Sequence, residues 1–77
     1  MKIQILGTGC MKCDKLAELA ETVAVELQVE YELEKIKDLN QIMAFGVMLT
    51  PALAVDGVVK ISGRLPSAAE MKKLLSE

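Results

Sequence analysis

Two cysteines lie three positions apart near the start of the chain, at Cys10 and Cys13, with Met11 and Lys12 between them. Apart from an inert structural bridge or two unrelated buried cysteines, thiol pairs at this spacing in a cytosolic protein do one of two kinds of chemistry. They exchange electrons with a disulfide, or they bind a soft metal ion such as copper(I) or zinc. The chain has no histidine, which excludes a Ser-His-Asp triad. The candidate chemistry therefore centres on this CxxC segment.

The first of these possibilities gives the two cysteines different roles. If Cys10 lies where the chain enters a helix, unbonded N–H groups, the helix dipole and the nearby Lys12 and Lys15 all favour its thiolate. Only a thiolate attacks a disulfide, so Cys10 is the predicted nucleophile. Cys13, one helical turn further and turned inward, is predicted to resolve the mixed disulfide by bonding to Cys10.

The residues beside the cysteines are predicted to form the surface that a partner protein meets. Gly7 and Gly9 have no side chain, so a partner's backbone can come close. Met11 is predicted to be exposed within an apolar rim around Cys10, with Lys12 next to it. The methionines that recur at helical or strand spacing are instead predicted to fill the core: Met43, Met48 and Met71.

The first half of the chain contains the elements that must position the cysteines. Residues 3–6 predict a short apolar strand that ends at the Gly-Thr-Gly segment 7–9. Apolar residues then recur at helical spacing over 16–27. Residues 29–36 alternate between apolar and mainly acidic side chains, which predicts a half-exposed strand at a sheet edge. The cysteines thus lie between a strand and a long helix.

The second half carries clear signals for turns and helix ends. Asp38 predicts the N-cap of a short helix that Gly46 ends. The Asp-Gly pair at 56–57 joins two apolar runs and predicts a β-hairpin over 52–61. A Ser-x-x-Glu capping box at 67–70 begins an amphipathic helix that ends the sequence.

Together these elements predict an α/β fold with the order β-α-β-α-β-β-α. A parallel strand-helix-strand unit followed by a hairpin and a helix fits one four-stranded mixed sheet flanked by three helices. The predicted strand order is 2-1-3-4, with the apolar first strand in a central position. All of residues 1–77 are predicted to form a single domain.

Composition and charge exclude several classes of partner. Hydrophobic residues make up 52% of the chain and aromatic residues 3%, so an aliphatic core is predicted. The net charge is −2 and the basic residues form no cluster, which argues against nucleic acid as a partner. The apolar stretch 3–6 is too short for a signal peptide or a membrane span. A cytoplasmic protein without a membrane partner is expected.

With the CxxC segment after the first strand and Thr50-Pro51 ahead of the hairpin, the sequence resembles the thioredoxin superfamily. Within it, the chain is most similar to the small redox-active disulfide proteins of archaea and bacteria, and the resemblance spans the whole chain. It implies a thiol-disulfide oxidoreductase of cell redox homeostasis without a bound cofactor. Its expected partners are a disulfide-containing protein and a reductase or low-molecular-weight thiol that recharges it.

The resemblance also implies roles for Thr50 and Pro51. In that family the proline of such a pair is cis and lies against the cysteines, and the residue before it offers its backbone to the substrate. Pro51 is therefore expected to be cis and Thr50 to bind substrate. Propensity alone favours a trans bond, because only about 5–6% of such bonds are cis in folded proteins.

The sequence departs from thioredoxins proper in three ways. They carry a Trp before the first cysteine, where this chain has Gly9, and a Gly-Pro pair within the motif, where it has Met11 and Lys12. These two departures leave the redox potential and the choice of partner open. They also keep a buried acid six residues before the first cysteine, where this chain has Gln4. The proton acceptor for Cys13 therefore stays open between solvent and Asp14.

Two alternative functions remain open from the sequence. Glutaredoxins are similar in length, and Arg64 could meet a glutathione carboxylate, although an exposed arginine in a loop is more commonly solvated. Heavy-metal-associated domains also carry a CxxC between the first strand and helix, which makes a copper(I) or zinc carrier the main alternative. Those domains have Met where this chain has Thr8, and they end in a strand.

The ligand count argues against a dedicated metal centre. A closed zinc site needs four ligands, and one chain offers Cys10, Cys13 and at most Asp14. No resident metal is therefore expected, and occasional metal binding by a redox dithiol is the more economical interpretation.

Overall fold

The computed structural model describes residues 1–7 and 11–76, which form a four-stranded mixed sheet and three helices. The elements are β1 (Lys2–Leu6), α1 (Met11–Glu26), β2 (Glu32–Ile36), α2 (Leu39–Ala44), β3 (Ala52–Val55), β4 (Val58–Ser62) and α3 (Ala68–Ser76). The strand order is β2-β1-β3-β4, with β1 parallel to β2 and antiparallel to β3. The predicted fold class and strand order are confirmed.

Alternation along β1 divides the core between the two faces of the sheet. Ile3 and Ile5 point to one face and Leu6 to the other, because successive side chains of a strand point in opposite directions. The first face, here called the α1/α3 face, buries these residues: Ile3, Ile5, Leu16, Ala17, Ala20, Val23, Ala24, Leu53, Val55, Ile61, Met71 and Leu75. The α2 face buries a smaller set: Leu6, Ile36, Ile42, Val47 and Ala52.

The connection from α1 to β2 is longer than the sequence predicted. Gln28 takes a left-handed conformation with φ of 56°, and the N–H of Val29 donates to Ala24 O at 3.3 Å. Such a pattern closes a helix, so the N–H of Val29 caps α1 although the helix itself ends at Glu26. The predicted strand start at residue 29 was wrong by three residues, and pairing begins at Glu32 opposite Lys2.

In the described part of the chain, no helix is long and apolar enough to cross a membrane.

The predicted turn and cap residues have the expected conformations. Asp56 and Gly57 both have positive φ, 51° and 86°, as a tight two-residue hairpin turn requires. Asp38 caps α2 by accepting a hydrogen bond from Asn40 N at 2.8 Å. Gly46, with φ of 80°, follows the end of that helix. The turns that separate β2, α2, β3 and β4 are therefore built by the residues that predicted them.

The start of α3 uses half of the predicted capping box. Ser67 Oγ accepts a hydrogen bond from Glu70 N at 3.1 Å. The Glu70 carboxylate is instead bound by Arg64, whose Nη1 and Nη2 lie 2.8 and 2.6 Å from its oxygens. These hydrogen bonds lower the pKa of Glu70 and raise that of Arg64. This ion pair links the loop before α3 to the first turn of that helix.

Candidate active site

Cys13 is a buried residue in the first turn of α1, with 5% of its surface exposed. Its Sγ packs directly against the backbone of Gly7, just past the end of β1, and a Cβ at Gly7 would overlap that sulfur. The same Cβ would lie 3.3 Å from Cys13 Cβ. The absence of a side chain at Gly7 therefore makes room for a cysteine of the same chain. This corrects the prediction that Gly7 leaves space for a partner's backbone.

Thr50 and Pro51 come to the same place from a distant part of the sequence. A Cβ at Gly7 would lie 4.0 Å from Thr50 Cβ. The Thr50–Pro51 peptide bond is cis, as the family resemblance implied. Pro51 is buried while Thr50 is exposed, and Pro51 O accepts a hydrogen bond from Gly63 N at 2.8 Å. The end of β1, the start of α1 and the cis-proline thus meet at one site.

The remaining predicted site residues fall into two groups. Met11 and Lys12 are exposed in the first turn of α1, and Met11 has 76% of its surface accessible. Cys10 and Gly9 lie outside the described residues, so their predicted roles stay predictions. The described part of α1 begins at Met11.

A narrow cleft leads from Cys13 to the surface between α1 and β2. It is lined by Ile5, Gly7, Cys13, Asp14, Lys35 and Lys37, and its volume is about 10 Å³. That is close to the smallest space that holds one water molecule. Lys35 Nζ lies 3.9 Å from Asp14 Oδ1 across this cleft. Asp14 was identified as a candidate from the sequence, but Lys35 and Lys37 were not. These lysines reach the cleft through the strand register that pairs Ile5 with Lys35.

Gln4, which stands where thioredoxins keep a buried acid, serves a different purpose. Its side chain is 8% exposed, and its Oε1 accepts a hydrogen bond from Gly57 N at 3.0 Å. By strand alternation Gln4 shares the α2 face with Leu6, whereas Cys13 belongs to a helix packed on the opposite face. Gln4 therefore supports the hairpin turn and does not take the place of that acid beneath Cys13.

An apolar groove lies beside Thr50 on the α2 face. Its volume is about 400 Å³, and its lining residues are Leu39, Ile42, Met43, Val47, Met48 and Thr50. Met43 and Met48 are 62% and 96% exposed, so the prediction that they fill the core was wrong, while Met71 is fully buried as predicted. The six-residue α2 turns Ile42 toward the sheet and leaves the other apolar side chains in solvent. The groove can accept apolar side chains from a partner.

The alternative ligands find little support among the described residues. Across residues 1–7 and 11–76, no three His, Cys, Asp or Glu side chains lie close enough together to hold a metal ion. The second ligand of the proposed metal pair, Cys10, lies outside these ranges. Arg64, considered for a glutathione carboxylate, is bound in a two-pronged ion pair with Glu70.

The sheet order, the cysteine at the start of α1 and the cis-proline ahead of β3 define a thioredoxin-like α/β protein. A family model described as a thioredoxin domain matches residues 1–76. The chain is 50% identical to a thioredoxin of Methanothermobacter thermautotrophicus over 76 residues, 99% of each chain. It is 38% identical over 73 residues to a thioredoxin of Methanocaldococcus jannaschii, covering 95% of this chain and 84% of that one. The chain belongs to the thioredoxin family and is a redox protein of that type.

Proposed function

We propose that this protein is a thiol-disulfide oxidoreductase that exchanges electrons with a protein disulfide through Cys10 and Cys13. The observation that carries the proposal is the placement of Cys13, whose sulfur packs on Gly7 beside the cis Thr50–Pro51 bond. A buried cysteine three residues after a second cysteine is suited to resolving a mixed disulfide.

The proposed reaction proceeds in two displacements. The Cys10 thiolate attacks one sulfur of the substrate disulfide, and the other substrate sulfur leaves as a thiolate. The thiol of Cys13 then loses its proton and attacks Cys10 Sγ, which forms the internal disulfide and releases the second substrate thiolate. The substrate gains two electrons and the protein loses two. A reductase or a low-molecular-weight thiol returns the protein to the dithiol, and no organic cofactor takes part.

The surface around Cys13 supports binding of an extended protein segment. Thr50 is exposed beside the site and can offer its backbone to the substrate chain. Gly9, Met11 and Lys12 are the proposed contacts on the other side, where the exposed Met11 supplies apolar area. The groove next to Thr50 can hold an apolar side chain of the same substrate.

The compartment and the working unit follow from the same proposal. A reducing cytoplasm keeps the two thiols reduced between turnovers, which is the state needed to attack a disulfide. We propose that residues 1–77 act there as one domain.

The test is a redox titration of metal-free protein in dithiothreitol buffers, with free thiols trapped by alkylation and counted by mass. A reversible two-electron transition is expected, and both Cys10→Ser and Cys13→Ser should lack it. Comparing the midpoint potential with that of a partner couple gives the direction of electron flow. A difference of about 30 mV between the two corresponds to about 1.4 kcal/mol. A protein that forms no internal disulfide but retains copper or zinc on its thiols after purification would be a metal carrier instead.

A further inference from the structure

The second displacement requires a place for the proton of Cys13. The thiol must lose this proton before its sulfur attacks, and the side chain is only 5% exposed. Gln4 lies on the other face of the sheet and carries no ionisable group. The cleft between α1 and β2 brings Cys13 together with charged side chains, because Asp14, Lys35 and Lys37 line it as well.

The charged groups of that cleft come from both elements that form it. Asp14 follows Cys13 on α1, while Lys35 belongs to β2 and Lys37 follows it. Asp14 is paired with Lys35 at 3.9 Å, and their side chains are 70% and 49% exposed. The Asp14 carboxylate therefore lines the same cleft as the buried sulfur and is also open to bulk water. The cleft has room for about one water molecule, which would bridge the thiol and the carboxylate.

We propose that Asp14 accepts the proton of Cys13 through a single water in this cleft, with Lys35 holding the carboxylate in position. This inference rests on the proposed function, because it assigns one step of the same reaction. The proton passes from Cys13 Sγ to the water while a proton of that water passes to Asp14. The sulfur lone pair forms the bond to Cys10 Sγ, and the substrate sulfur leaves with its bonding electrons. Asp14 then returns its proton to solvent.

The sign of the change in the rate of attack by Cys13 separates a proton acceptor from a purely electrostatic effect of the carboxylate. A negative carboxylate close to a thiol disfavours the thiolate, so its removal would speed the attack by Cys13 if charge alone mattered. Loss of a proton acceptor would slow the attack. The variant Asp14→Asn keeps the size of the side chain and removes its ability to accept the proton, so the direction of its effect distinguishes the two roles.

The experiment follows reaction of the reduced protein with the aromatic disulfide dithiobis(nitrobenzoate) in a stopped-flow spectrometer. Attack by Cys10 releases a first thionitrobenzoate, and attack by Cys13 releases a second. In Asp14→Asn the first phase should keep its rate within about twofold, and the second should slow about tenfold near pH 6 to 7, the low side of a general base contribution because a water intervenes. The deficit should shrink toward about pH 9, where hydroxide replaces the carboxylate.

Two further variants complete the test. Asp14→Glu keeps a carboxylate and should recover the second phase to within about threefold of the original chain. Glu18→Gln removes an equal charge from the next turn of α1, outside the cleft, and should change neither phase. A second phase in Asp14→Asn that is unchanged, faster, or slowed equally at every pH would overturn the inference. If the original chain releases no second thionitrobenzoate, the proposed function itself fails and the proton path fails with it.

Discussion

The two faces of the sheet use apolar residues in different ways, although the same strands supply both. On the α1/α3 face, aliphatic side chains of β1, β3, α1 and α3 enclose one another, and residues such as Leu16 and Met71 are fully buried. On the α2 face, a short helix buries Ile42 and leaves Met43 and Met48 in solvent beside Thr50. The α1/α3 face therefore stabilises the fold, while the α2 face provides exposed apolar area next to the site.

The largest expected effect on stability comes from shortening one core side chain on each face of the sheet. Leu16→Ala should lower the free energy of unfolding by about 3–5 kcal/mol, because its enclosed neighbours cannot collapse around the cavity. Ile42→Ala should cost about 2–3 kcal/mol, because α2 is short and its neighbours can move into the space. Urea unfolding of the reduced proteins measures both values.

The control for this pair is Val25→Ala, which shortens an apolar side chain of α1 that is 63% exposed. It should change the free energy of unfolding by less than about 0.5 kcal/mol. An Ile42→Ala variant that loses more stability than Leu16→Ala would reverse the comparison between the faces.

A smaller effect is expected at the point where the α1/α3 face meets the site. Gly7→Ala places a methyl group against Cys13 Sγ, so the sulfur must turn away or the backbone of β1 or α1 must shift to accept it. The expected loss is about 1–3 kcal/mol by urea unfolding. In a Cys10→Ser background, Cys13 should also be alkylated faster in Gly7→Ala, because its sulfur can no longer lie against β1. Unchanged stability together with an unchanged alkylation rate would contradict the close packing of this pair.

The smallest effect on stability is expected in the apolar groove. The double variant Met43→Ser, Met48→Ser should change the free energy of unfolding by less than about 0.5 kcal/mol, since both side chains are largely in solvent. Reduction of a protein disulfide, with insulin as the probe, should slow about threefold or more if the groove holds substrate. The first-phase rate with dithiobis(nitrobenzoate) should stay the same. Val25→Ser is the matched polar change on α1, and equal rates in both variants would remove the groove from substrate binding.

Much of the fold could be predicted because local signals agreed with one another. The apolar run of β1 indicated a central strand, and the Asp-Gly pair at 56–57 fixed the hairpin. The strand start was misplaced at residue 29 because Val29 packs on the core while its backbone still closes α1. Periodicity reports which side chains are buried, but it does not report which backbone groups pair.

The candidate site could be predicted only in part. The inward position of Cys13 was predicted from its spacing within the CxxC segment, whereas the cis bond of Pro51 was expected only from the family resemblance. The cleft beside Asp14 depends on the alignment of β2 with β1, which brings Lys35 across from a residue 21 positions earlier in the chain. The exposure of Met43 depends on how little of α2 the sheet can cover. Both are properties of tertiary packing, which spacing along the chain does not reveal.

The central position of β1 also determines which parts of the molecule open most easily. β1 is hydrogen bonded on both sides, and Gly7, just beyond its end, donates to Ile36 O at 3.0 Å. Backbone amides of such a strand exchange with solvent only when most of the protein unfolds, whereas a short helix over a small cluster opens in local fluctuations. The residues that support the Cys13 sulfur are thus expected to be among the slowest-exchanging of the sheet, and those that line the groove among the faster-exchanging. If the groove holds substrate as proposed, it can adapt its shape while the sulfur stays in place.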